Sequence, residues 1–258
     1  MSILSNPYWQ LIDTGFNSGT YNMDFDISLV EKLQRNEILP TLRMYGWKPW
    51  AVSLGYNQSE NDINISKCTE YGFDIVRRPT GGRAILHANE LTYSVVMFAE
   101  NRGITEIYSL ISKALVSGLQ KICAEVSYET SQPNLQAFYK KQESVPCFSA
   151  SARYEVQIHG KKLVGSAQRR FSSPDGREIV LQHGSILLGS EHKLLAEVVA
   201  IHDVAIKKKI SEDIDNKTID LSTAMKRTIT FDEVAQAIRS GFEKELSLQF
   251  ENSSEAVL

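Results

Sequence analysis

Arg77-Arg78-Pro79-Thr80-Gly81-Gly82-Arg83-Ala84-Ile85-Leu86-His87, continuing into Glu90-Leu91-Thr92-Tyr93-Ser94, links a strand-like run at Asp74 to Arg77 with two further apolar runs through a Gly-Gly turn. Adjacent glycines let the backbone take positive φ and come close to a ligand with no Cβ in the way. Arginines before the turn and a histidine after it set cationic and polar groups around that opening. Taken alone, the stretch also reads as an ordinary Gly-Gly hairpin turn with solvated arginines.

Downstream, the pattern is one of paired strands. Tyr154 to Ile158 alternates as a strand, His159-Gly160 is a natural two-residue turn, and Lys161 to Gln168 returns. Ser172-Ser173-Pro174-Asp175-Gly176 then leads to a strand over Ile179 to Ile186. These hairpin signals indicate a mainly antiparallel sheet. A two-residue turn sets Ile158 opposite Lys161 and Gln157 opposite Lys162. Val156 and Leu163 then share one face, and Lys162, Val164 and Ser166 share the other. Lys161 and Lys162 point opposite ways, so at most one of them enters a site.

Further elements bracket these. Trp9 to Asp13 reads as a first strand, and Asn22 as a helix cap with Met23, Ile27 and Val30 repeating behind it. Thr41 to Tyr45, Ala51 to Leu54 and Leu91 to Met97 read as strands, and Ile63 to Tyr71 as a helix stopped by Gly72. Thr105 opens an amphipathic helix with Ile107, Ile111, Ala114, Leu115, Gly118 and Ile122 along one stripe. Ser127 to Ser144 turns polar without a period and reads as a long loop. After Leu188 the pattern is helical and polar, with a helix over His192 to Val199. Thr230 and Glu233 form a capping box before Val234, Ile238 and Phe242. With no internal repeat and no Pro-, Gly- or Ser-rich linker, residues 1–258 read as one domain. Its C-terminal part, 189–250, is helical, and 251–258 reads as a frayed tail.

The 258 residues are 42% hydrophobic and 23% charged, enough for a substantial core. A net charge of −3 argues against a dedicated nucleic-acid binder. Cys68, Cys123 and Cys147 cannot all pair and show no Cys-x-x-Cys spacing, which fits a reducing compartment and offers no metal framework. The five histidines lack ligand spacing. Met1 to Gln10 has neither a basic start nor an apolar run, and no segment approaches ~18 uninterrupted apolar residues. The expectation is a cytoplasmic protein with no membrane partner.

The blocks RRPTGGRAILH…ELTYSV, GKKLVGSAQ and LQHGSILL, together with Leu11-Ile12-Asp13, Asn22-Met23-Asp24 and Arg43-Met44-Tyr45-Gly46-Trp47, resemble the lipoate and biotin protein ligases and octanoyltransferases. The pattern is most similar to LipM-type octanoyltransferases over about residues 9–188. The resemblance implies an α+β fold: a mixed, mainly antiparallel sheet flanked by helices, of the class II aminoacyl-synthetase-like biotin/lipoate ligase type. Cys147 begins Cys-Phe-Ser-Ala-Ser-Ala-Arg-Tyr-Glu, similar to the segment Cys-Phe-x-Ala-Pro-Ser-x-Tyr-Glu whose cysteine carries the acyl group in that family. Ser151 and Arg153 depart from it. Cys68 and Cys123 read instead as small buried hydrophobes.

The same resemblance aligns Lys162 with the lysine that contacts the acyl carbonyl. An ammonium there stabilises an oxyanion and lowers the pKa of a nearby thiol. Gly81, Gly82 and Gly165 would admit backbone close to an acyl slot, with Ser166 and Ala167 offering amides and little bulk. His87 reads equally as a group that orients a carbonyl or amine and as a satisfied core histidine, and His183 carries the same ambiguity. Arg78, nearer the turn than Arg77, reads both as a contact for phosphopantetheine or an acidic carrier and as a plain salt-bridge partner. The implied activity moves an octanoyl group from octanoyl-acyl carrier protein, through a Cys147 thioester, to a lysine of a lipoyl domain or glycine cleavage H protein, without a cofactor. Three rival readings stand beside it. One is a lipoate ligase of the same fold using ATP, one an amidotransferase between lipoyl-domain proteins, and one a non-catalytic carrier-binding module.

Overall fold

The structure, a computed structural model, describes residues 4–128 and 155–251. Strand β1 (Tyr8–Asn17) leads into helix α1 (Gly19–Gln34), followed by β2 (Thr41–Trp47) and β3 (Ala51–Leu54). Helix α2 (Ile65–Glu70) precedes β4 (Asp74–Arg77), β5 (Ile85–His87) and β6 (Glu90–Phe98). Helix α3 (Ile104–Leu119) and β7 (Val126–Tyr128) end the first described part. The second holds β8 (Val156–Ile158), β9 (Lys161–Ser172) and β10 (Glu178–Leu187). It finishes with helices α4 (Leu195–Val198), α5 (Val204–Lys217), α6 (Leu221–Met225) and α7 (Phe231–Leu246) and strand β11 (Gln249–Glu251).

Among these, a large sheet runs β11-β1-β2-β6-β10-β9-β8-β7 and a small one β4-β3-β5. The β11–β1, β1–β2 and β3–β4 pairs are parallel, and the other pairs are antiparallel. This is the mixed, mainly antiparallel α+β architecture that the hairpin signals indicate. Alternation along β6 explains the layers. Leu91, Tyr93 and Val95 enter the main core with Ile107, Ile111 and Leu115 of α3 and Val234, Ile238 and Phe242 of α7. Val96 faces the other way and packs with Leu29, Val30 and Leu33 of α1. Helices α3 and α7 touch backbone to backbone: a Cβ on Gly118 would collide with the Ala237 carbonyl, and one on Gly241 with that of Ala114. Cys68 and Cys123 are buried, and burial pushes the Cys68 thiol up to about 11. No helix of the described residues is long and apolar enough to cross a membrane.

Several local expectations are corrected. Helix α1 is capped by Ser18, whose hydroxyl accepts from the Tyr21 amide at 3.3 Å, and not by Asn22. Asn22 sits inside the helix, where its side chain donates to the Gly46 carbonyl and accepts from Arg43. The Gly-Gly segment is no hairpin, because β3 lies between β4 and β5. Of its two glycines only Gly82 takes positive φ, +98°, and its carbonyl presses so close to Gly55 that a Cβ there would collide. His159 and Gly160, at φ 49° and 77°, form the expected tight turn and pair Ile158 with Lys161 and Gln157 with Lys162. The register then slips and Val156 faces Val164. This bulge removes Lys162 from the face it was expected to share with Val164 and Ser166. The helix over His192 to Val199 is a 3₁₀ turn, Ser190–Leu194, running into α4. Glu251, assigned to the frayed tail, ends β11, so the C-terminal part is not wholly helical. Residues 252–258 lie outside the described residues.

Candidate active site

Between the two sheets lies a cleft with a cavity of about 20 Å³, room for roughly one water. Strands β2, β6, β9 and β10 give it Tyr45, Trp47, Thr92, Gly165, Ser166, Ala167, His183, Gly184 and Ser185. Met23 comes from α1, Ile85 and His87 from β5, and Arg78 from the segment after β4. Arg78, His87, Gly165, Ser166, Ala167 and His183, singled out in the sequence, are thus brought together. Gly81 and Gly82 stay in the adjoining loop and do not line the cleft. Neither does Lys162, a buried residue whose ammonium pairs with the buried carboxylate of Glu155. Cys147 lies outside the described residues.

Each histidine is the middle of a buried chain running carboxylate, imidazole, hydroxyl. His183 Nδ1 lies 3.0 Å from Asp26 Oδ2, and its Nε2 lies 2.6 Å from the Thr80 hydroxyl. Asp26 also meets Arg43 Nη1 at 2.7 Å through Oδ1 and accepts from the Tyr45 hydroxyl at 3.1 Å. Burial alone would raise the Asp26 carboxyl, but the His183 hydrogen bond and the Arg43 charge outweigh it and hold it below the ordinary aspartate range. Burial, helped by Arg78 and His87, holds His183 below the ordinary histidine value despite Asp26. The consistent state is an ionised Asp26 accepting from Nδ1–H of a neutral His183, with the Thr80 hydroxyl donating to Nε2.

His87 repeats the pattern from the small sheet. Its Nδ1 is 2.8 Å from Glu90 Oε1 and 3.1 Å from the Ser185 hydroxyl, and its Nε2 is 2.7 Å from the Ser53 hydroxyl. The ring stacks on Trp47 with centroids 3.9 Å apart, and the Trp47 indole donates to Thr92. Thr92 in turn donates to Glu90 Oε1 at 2.5 Å. Arg78 turns its guanidinium onto its own loop and onto β3, donating to the carbonyls of Ser53, Gly81 and Arg83 and to the Ser53 hydroxyl. Arg77 does the same for the carbonyls of Gly55, Tyr56 and Gln58.

Both ring nitrogens of both histidines are therefore occupied by protein groups. The arrangement fixes the walls of an enclosed slot, and neither imidazole presents a free nitrogen for proton transfer. Met23, Tyr45, Trp47, Ile85, Thr92, Gly184 and Ser185 fall within the blocks that carry the resemblance but were not named as site residues from the sequence. The signal for some was alternation: Ile85 stands two residues before His87, and Ser185 two after His183. Asp26 left no local signal, and Glu90 stood in the ELTYSV block without being named as a site residue.

Residues 18–243 match the model of the lipoyl protein ligase A/B catalytic domain. Octanoyltransferase LipM of Anoxybacillus flavithermus is 35% identical over 254 residues, 96% of this chain and 90% of that protein. Octanoyltransferase LipM of Bacillus subtilis is 32% identical over 94% of this chain and 88% of its own length. Among solved structures, a bi-partite lipoate protein ligase from Thermoplasma acidophilum superposes with a TM-score of 0.74 at 21% identity, covering 97% of this chain and 88% of that one. A lipoate-protein ligase A bound with ATP gives 0.72 at 19% identity, over 98% of this chain and 90% of that one. At such identities the likeness to these two is one of fold.

Proposed function

The chain belongs to the lipoyl protein ligase A/B catalytic domain family, and from that membership we propose that it is an octanoyltransferase of lipoate cofactor assembly. The observation that carries the reading is the identity, 35% over 96% of the chain, with a protein of that activity. In this reading the donor is octanoyl-acyl carrier protein and the acceptor a lysine of a lipoyl domain or glycine cleavage H protein.

The Cys147 thiolate attacks the donor thioester carbonyl. Collapse of the tetrahedral adduct breaks the donor C–S bond and releases the carrier thiol, which takes up the proton that Cys147 gave up. The acceptor amine then attacks the octanoyl-Cys147 thioester. An amide forms, the second C–S bond breaks, and the amine proton returns to the Cys147 sulfur. One thioester is exchanged for another before the downhill step to an amide, so no nucleotide is required. Lys162, which pairs with Glu155, is assigned the depressed thiol pKa and part of the oxyanion stabilisation in this reading. His87, His183 and Arg78, whose polar atoms face protein partners, hold the slot in shape.

Intact mass of the protein mixed with octanoyl-acyl carrier protein, without ATP, tests this. The expected result is a hydroxylamine-labile octanoyl adduct on the wild type and none on Cys147→Ala. Absence of the adduct, with acylation of a lipoyl domain only from free octanoate and ATP, would make the protein a ligase.

A further inference from the structure

A cavity of about 20 Å³ does not hold an eight-carbon chain, so a wall of the cleft has to yield when an acyl group enters. Most of the walls are tied. The Tyr45 hydroxyl donates to Asp26, and the Trp47 indole donates to Thr92 and stacks on the His87 ring. Arg78, His87, His183 and Ser185 are held in the networks described above. Gly165 and Gly184 have no side chain and Ala167 has no rotamers. Ile85 is β-branched and stiff at χ1.

Met23 is different. It is unbranched, with three rotatable bonds and a soft thioether, the side chain type that adapts to irregular space. It is 6% exposed, carries no polar group to keep satisfied, and packs with Tyr45, Trp47 and Ala51 at the α1 side of the cleft. We propose that Met23 is the yielding wall of the slot, and that the position it retreats to sets the length of acyl chain the protein accepts. The inference rests on the acyltransferase reading and deepens it.

The test compares octanoyl and dodecanoyl thioesters of acyl carrier protein as donors to a lipoyl domain, for wild type, Met23→Ala and Met23→Ile, by kcat/KM. A preference ratio within one variant is insensitive to loss of folded protein. A hydrophobic pocket gains or loses at least about tenfold per methylene that finds or loses room. Met23→Ala is therefore expected to raise the dodecanoyl-to-octanoyl ratio at least about tenfold. Met23→Ile, similar in bulk but stiff, is expected to lower octanoyl transfer about tenfold with the fold retained by circular dichroism. If both variants keep the wild-type ratio and rate within twofold, the selector lies elsewhere and the proposal is wrong. If the wild type transfers neither chain, the acyltransferase reading fails first and the proposal falls with it.

Discussion

The two carboxylate–imidazole–hydroxyl chains that border the cleft share a design and differ in how the carboxylate is compensated. Asp26 has a full cation, Arg43, against one oxygen, and His183 and Tyr45 against the other. Glu90 directs one oxygen at His87 and Thr92, while its Oε2 is buried with no hydrogen-bond partner among the described residues. The first chain is an ion pair taken out of water, in which every charge needs its neighbour. The second is held by hydrogen bonds from an imidazole and a hydroxyl, with no arginine or lysine among those partners. Residues of the same type around one slot therefore differ in how far they can be altered.

Replacing each carboxylate by its amide separates the two chains most sharply. Asp26→Asn leaves the fully buried Arg43 uncompensated, and chemical denaturation is expected to show a loss of about 3–5 kcal/mol. A loss below about 1 kcal/mol would mean that the pair is not coupled as described.

Acidification probes the same chain more gently. The unfolded protein takes up a proton on His183 near the ordinary value of 6.5, whereas the folded protein holds that residue lower. Stability is thus fully present above about 6.5 and declines as pH falls, by up to about 1.4 kcal/mol per pH unit from this group. His192, also held low by burial, adds in the same direction. Thermal melts of His183→Asn between pH 7 and 5 should lose one proton's share of that slope. An unchanged slope would remove His183 from the account.

The smallest effect is expected at Glu90. Glu90→Gln keeps an oxygen for His87 and Thr92 and puts an amide where the carboxylate oxygen lacked a partner. Its cost should be about 1 kcal/mol in the same denaturation series. A cost equal to that of Asp26→Asn would erase the contrast.

Legibility in the sequence followed the range of the interactions. The His159-Gly160 turn and the Thr230 cap are local devices, and the structure has both where the sequence implies them. The bulge at Leu163 escaped because it answers to both neighbours of β9: β8 pairs Val156 with Val164, and β10 pairs Ile186 with the same residue. Asn22 looked like a cap because asparagine favours caps, yet its amide is claimed by Gly46 and Arg43, more than 20 residues away. Strand β11 has three residues, and nothing local separates it from a helix end until β1 is seen to pair with it. In the site, the Gly-Ser-Ala block and both histidines were readable as motifs. Asp26 was not, and Glu90 was readable as part of ELTYSV but not as the partner of His87, because a carboxylate announces a partner in space and not in sequence.

The stack of Trp47 on His87 has an optical consequence. Trp47 lines the slot, its ring lies 3.9 Å from the imidazole, and its N–H is anchored on Thr92. Trp9 and Trp50, the other two indoles, lie outside that lining. With both replaced by phenylalanine, the remaining emission reports on a single place. Arrival of an acyl chain beside Trp47 then changes the spectrum without any label, and the slot carries its own gauge of occupancy.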